Sequence, residues 1–243
     1  MKLLLTSSGI SNPSINNALV ELLGKPISEC NALCIPTAIY PFSVGPSMAY
    51  KFITGTASSP MCGLGWKSLG VLELTALPSV KRENWASVVQ EADALLVFGG
   101  DVLYLRYWMR ESGLADLFAS LPNMVYVGVS AGSMVIASEI AETYTHSKPP
   151  DDEDIKSEEI SLATPEGEAF NITLAVAPGL GQTDFALIPH VENERFPENS
   201  LASIEKWVSK VSVPLYAIDD QTAIKVAGGN VEVISEGEWK LFP

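Results

Sequence analysis

One stretch restricts the folds open to this chain more than any other. The apolar run Met124-Val125-Tyr126-Val127-Gly128-Val129 passes without a spacer into Ser130-Ala131-Gly132-Ser133 and then into the helix-compatible Met134-Val135-Ile136-Ala137. A strand apolar at every position is buried on both faces, as happens in parallel sheets covered by helices. Its direct passage into a helix is the unit from which such sheets are wound. The pattern recurs along the chain. Short apolar runs at 2–6, 32–36, 71–77, 94–98, 185–189 and 215–218 alternate with helix-like segments at 13–23, 85–92, 102–112, 113–120, 132–141 and 201–210. The expected class is therefore α/β, a mostly parallel sheet with helices on both faces. Farther along, 171–177 reads as an extra strand, and Gly228-Gly229-Asn230 between 223–226 and 231–234 predicts a small antiparallel C-terminal hairpin.

The 243 residues are 47% apolar and carry no linker-like composition, so one domain over 1–243 is expected. The net charge of −14 repels phosphate backbones and anionic membrane surfaces, which argues against nucleic acid and membrane partners. Leu3-Leu4-Leu5 is too short for a signal-peptide core or a membrane span and reads as a first strand. Cys30, Cys34 and Cys62 have neither metal-ligand spacing nor an even count, which favours a reducing, cytoplasmic setting. The acidic segment 148–159 is read as a solvated loop rather than a metal site; no metal and no cofactor are expected.

Gly128-Val129-Ser130-Ala131-Gly132 is a G-x-S-x-G pattern in the strand-to-helix context that exposes a serine hydroxyl on a sharp turn. The free N–H groups of the following helix would face that serine and favour an oxyanion. The bland alternative is that Ser130 only caps the helix. A serine nucleophile needs a general base, and the chain has 2 histidines. His190 ends the apolar run Phe185-Ala186-Leu187-Ile188-Pro189, at the carboxyl end of a strand where open α/β sheets place their sites; His146 opens a polar loop. His190 is the choice. Asp219 and Asp220 follow the strand Leu215-Tyr216-Ala217-Ile218, and either can orient the base. The resulting order, serine, histidine, acid, differs from that of the α/β-hydrolases. Gly99-Gly100-Asp101 ends another buried run, and the Gly100 amide is a candidate partner of the Ala131 amide in an oxyanion hole.

Together these blocks resemble the peptidase E (aspartyl dipeptidase) family of serine peptidases, to which cyanophycinase is related. Phe98-Gly99-Gly100-Asp101 with Leu103-Tyr104-Leu105 and Trp108 looks like the family's glycine-rich turn, and Gly128 to Gly132 like its nucleophile block. Ile188-Pro189-His190 is similar to its proline-histidine block, and Ala217 to Ala223 to the block carrying its acid, which is usually glutamate. The resemblance implies a class I glutamine amidotransferase-like fold and a small peptide substrate. It implies Ser130 as nucleophile, His190 as proton shuttle, Asp220 as orienting acid, and Gly100 and Ala131 as oxyanion donors. Gly99, Asp101, Arg195 and Asp219 are the further residues placed around the substrate. Family dipeptidases favour an N-terminal aspartate, which needs a cation; Arg195 is the nearest, although Glu192, Glu194 and Glu198 surround it. A cyanophycinase-like or other amidase or esterase and a non-catalytic homologue stay open as alternatives, as does the oligomeric state, a homodimer included.

Overall fold

The computed structural model describes residues 1–145, 147–163 and 168–243. Its strands are β1 (Lys2–Thr6), β2 (Asn31–Ile35), β3 (Ser68–Val71), β4 (Ala94–Val97), β5 (Val125–Val129), β6 (Glu139–Tyr144), β7 (Lys156–Ala163), β8 (Ala169–Pro178), β9 (Ala186–Ile188), β10 (Leu215–Ile218), β11 (Thr222–Ala227), β12 (Asn230–Ser235) and β13 (Trp239–Phe242). Its helices are α1 (Pro13–Leu23), α2 (Gly45–Ile53), α3 (Arg82–Glu91), α4 (Val102–Glu111), the single turn α5 (Ala131–Met134) and α6 (Leu201–Trp207). A 7-stranded sheet in the order β12-β11-β1-β5-β4-β2-β3 forms the centre. β1, β5, β4, β2 and β3 run parallel, and the hairpin β11–β12 closes one edge antiparallel to β1.

Alternation along the buried strands decides what each face packs against. Leu3, Leu5, Ile35, Leu95, Val97 and Tyr126 join one apolar cluster with Trp85 and Val89 of α3 and Leu105 and Met109 of α4. Leu4, Ala32, Cys34, Leu96, Val125 and Val127 join the other with Ile15, Leu19 and Leu22 of α1 and Phe52 of α2. Helices thus cover both faces, as the uninterrupted apolar runs predict. No helix among the described residues is long and apolar enough to cross a membrane.

Two smaller sheets flank this core. β9 and β10 pair in parallel with β13 antiparallel at the edge, and β6, β8 and β7 form an antiparallel sheet. Several elements differ from the sequence expectation. The helix expected over 132–141 ends after one turn, because Leu180, Gln182 and Gly181 donate their N–H groups to the carbonyls of Val135, Ile136 and Ala137 at 2.9, 3.0 and 2.9 Å, and the chain then enters β6. The run expected as strand 71–77 is a 3-10 turn over Leu74–Ser79, with Leu74 and Leu77 buried one turn apart; the strand lies earlier, at β3. The segment 113–120 is a 3-10 turn over Ala115–Ser120, and α2 (Gly45–Ile53) is a helix where the sequence reading assigned no element. The acidic segment is only in part a solvated loop. Asp152 and Asp154 pair with the buried guanidinium of Arg106 at 3.0 and 2.7 Å, and Lys156 onward is β7.

Candidate active site

The parallel strands deliver their carboxyl ends to one edge of the main sheet, and Ser130 stands there, immediately after β5. Its backbone sits at φ 53, ψ −119, a region costly for any side chain. Glycines make the turn possible. A Cβ on Gly128 would lie 2.5 Å from Gly132 O, one on Gly99 would lie 3.0 Å from Ser130 Cβ, and one on Gly132 would strike Val97 O. Ser130 N donates to Thr6 O at 3.1 Å, and Ser130 O accepts from the amides of Ser133 and Met134 at 2.8 and 3.0 Å. Ser133 Oγ reaches the same Thr6 carbonyl at 2.7 Å. The end of β1 thereby holds the strained turn in place. At the end of β4, Gly100 (φ 144) packs against Ala38, and Asp101 caps α4, its Oδ1 accepting from Tyr104 N at 2.8 Å. The amides of Gly100 and Ala131 donate to no other group among the described residues.

His190 follows β9 with φ 59, and its backbone N–H donates to Ser7 Oγ at 2.8 Å. Its Nδ1 lies 2.6 Å from Asp220 Oδ1, at the end of β10. Asp220 is anchored further by Ser7 Oγ at 2.8 Å on the same oxygen and by Asn193 Nδ2 at 2.7 Å on the other. The hydrogen bond from His190, then those from Ser7 and Asn193, outweigh partial burial and hold the Asp220 carboxyl down at about 2. A carboxylate accepting at Nδ1 fixes the tautomer that leaves the Nε2 lone pair free. The ring also stacks on Phe196, with centroids 4.7 Å apart and planes at 16°.

Ser130, His190, Gly100 and Asp101 line one cavity of about 560 Å³. No hydrogen bond joins Ser130 to His190 among the described residues; apo geometry of this kind often tightens only around a substrate. Five of the residues singled out from sequence are not on the cavity wall, among them Asp220, which contacts it only through His190. Gly99 supports the turn from below, and the Ala131 side chain is buried. Asp219 spends its oxygens on the turn after β10, accepting from Gln221 N, Thr222 Oγ1 and Glu238 N at 3.0, 2.6 and 2.7 Å. Arg195 is exposed. His146 lies outside the described residues. Sequence reasoning missed Ser7, Asn193, Glu142 and Tyr144. Ser7 had a usable signal, since it directly follows the strand Lys2–Thr6 on the edge that carries Ser130.

The model for Peptidase family S51 matches residues 3–234. No curated protein matches the sequence. Among solved structures, a Listeria monocytogenes EGD-e protein described as a peptidase E superimposes with a TM-score of 0.62 at 20% identity, covering 97% of this chain and 98% of that one. A peptidase from an acI-B1 Actinobacterium gives 0.61 at 19% identity, covering 98% and 88%. At such identities the two structures speak for the fold, which the chain shares over almost its whole length.

Proposed function

Because the chain belongs to peptidase family S51, and is thus a serine peptidase, we propose that it is a dipeptidase of the peptidase E type in which Ser130, His190 and Asp220 form the triad. One observation carries the reading. A serine at φ 53 shares a cavity with a histidine whose Nδ1 is bound to a carboxylate at 2.6 Å. In this mechanism Ser130 Oγ attacks the peptide carbonyl while His190 Nε2 takes its proton. The amides of Gly100 and Ala131 receive the developing oxyanion, and His190 returns the proton to the departing amine. Water then hydrolyses the acyl-enzyme by the same route, with no cofactor. Because α5 is a single turn, the two amides matter more than a helix dipole. The cavity volume suits a short peptide rather than a folded chain. Three buried free cysteines are consistent with a cytoplasmic setting.

The test is covalent labelling by a serine-directed fluorophosphonate, located by peptide mass spectrometry, with hydrolysis of Ala-Leu, Asp-Leu and Lys-Leu followed in parallel. Label on Ser130 and dipeptide turnover, both lost in Ser130→Ala, are expected. A folded wild type that takes no label and cleaves none of the three refutes the reading.

A further inference from the structure

The cavity beside Ser130 holds more acid than bond cleavage uses. Asp101, Glu142 and Glu198 line it, and among the described residues the one lysine or arginine on its wall is the exposed Lys148. Glu142 accepts one hydrogen bond, from the adjacent Thr143 N at 3.1 Å, and no ion pair reaches it among the described residues. Two residues along β6, Tyr144 also lines the cavity; it is only 8% exposed, and its phenol lies against the Asp101 carboxylate. A carboxylate partly withdrawn from water without a cation beside it is costly. Asp101, Glu142 and Glu198 line the same cavity as Ser130, where the acyl part of a substrate must lie if Ser130 is to reach its carbonyl.

We propose that this wall is a specificity pocket for a cationic side chain, ammonium or guanidinium, on the residue whose carbonyl Ser130 attacks, with Glu142 and Asp101 as counter-charges. The proposal rests on the serine peptidase reading of the site and adds its substrate class. It sets aside the N-terminal aspartate suggested by family resemblance, because a carboxylate would enter a cavity already lined by three acids. Arg195, the cation named for that role, is exposed and off the wall.

The same geometry predicts a proton signature. Burial, then the facing Asp101 carboxylate and, more weakly, Glu198, push the Glu142 carboxyl up to about 8, so it is largely protonated at pH 7. The other groups on this wall are Tyr144, whose phenol burial and Asp101 push up well above its ordinary value, His190, and Lys148 at the mouth. A cation entering between Glu142 and Asp101 favours the Glu142 carboxylate, and its proton leaves to the buffer.

Calorimetric titration of Ser130→Ala protein, which binds without turnover, tests this with Lys-Leu, Nε-acetyl-Lys-Leu, Ala-Leu and Asp-Leu at pH 7 in phosphate and in Tris. Lys-Leu is expected to bind at least tenfold more tightly than its acetylated form, with an enthalpy that differs between buffers as one proton is released. Adding Glu142→Gln, with its fold checked by thermal melting, should bring the Lys-Leu to acetyl-Lys-Leu ratio close to one. Equal affinities for Lys-Leu and its acetylated form, tightest binding of Asp-Leu, or no binding of any peptide overturns the proposal, without recourse to the variant. Fluorophosphonate labelling of the wild type separates the two claims. Label without cation selectivity leaves the hydrolase and removes the pocket; selectivity without label leaves the pocket and removes the hydrolase.

Discussion

Replacing Asp220 with asparagine exchanges one oxygen for NH2 and leaves volume unchanged, so its effect follows from hydrogen-bond bookkeeping alone. Asp220 accepts from His190 Nδ1 and Ser7 Oγ on Oδ1 and from Asn193 Nδ2 on Oδ2. An amide must turn its NH2 toward one of these sides. Toward Asn193 it meets a donor, and Asn193 can flip only by giving up the bond its Oδ1 accepts from Arg195 N at 2.9 Å. Toward His190 it forces the ring into the tautomer protonated at Nε2, which can no longer accept the Ser130 proton. Loss of the tautomer lowers kcat by roughly 10⁴ in serine triads. Stability falls as well. A carboxyl drawn from 3.8 to about 2 stands for roughly 2 kcal/mol, reduced to about 1 kcal/mol for a side chain that is 32% exposed. Because the folded value is the lower one, this contribution is whole above the unfolded carboxyl's value and lost as pH falls through about 2. The gap in stability between wild type and Asp220→Asn should therefore be steady near neutrality and close between pH 4 and pH 2. Steady-state rates from pH 5 to 8 and denaturant melts across the acid range measure both. A kcat within tenfold of wild type, or a larger loss from Asp219→Asn, would refute this account of the triad.

Two further substitutions probe how the site is held. Ser7→Ala leaves the His190 N–H without its acceptor and Asp220 without a donor, so kcat should fall by about tenfold or more and stability by roughly 1–3 kcal/mol; unchanged kcat in a folded variant would show that His190 is positioned without Ser7. Ser130→Gly should be more stable than Ser130→Ala by about 1 kcal/mol, since glycine relieves the φ of 53 while giving back part of the gain in unfolded-chain entropy; equal melting temperatures would mean that the turn is unstrained.

The sheet was legible because its strands are buried on both faces and so must be apolar throughout. Ala94–Val97 and Val125–Val129 announce themselves in this way, and Leu215–Ile218 of the smaller β9–β10 sheet does so as well. Residues at the carboxyl ends of those strands followed directly, which is how Ser130, His190 and Asp220 came to notice together. Tertiary contacts defeated the reading elsewhere. Met134 to Ala141 has a helical composition, but hydrogen bonds from residues 180–182, distant in sequence, take the carbonyls that a longer helix would need. Leu72, Leu74 and Leu77 fit a strand as well as a tight turn, and only the pairing of β3 with β2 decides between them. The acidic run looked solvated because its partner, Arg106, lies on a helix far away in sequence, where it reads as one polar residue among apolar ones.

The wall carrying Glu142 and Tyr144 was invisible for a different reason, with a consequence for specificity. Ser130 directly follows a strand paired on both sides within the main sheet, and its turn is packed so that several glycines admit no Cβ. Substitution there disturbs the fold and the chemistry at once. Among the described residues β6 pairs only with β8, in a small sheet outside the main one, and Glu142 and Thr143 are only partly covered. A change of side chain at 142 alters the charge facing the substrate while leaving the main sheet and the strained turn intact. If the proposed triad and cation pocket are right, a rigid edge holds the bond-breaking groups and an accessory strand selects the acyl side chain beside them, so substrate preference on this scaffold is expected to change at β6 before anything changes at the elbow.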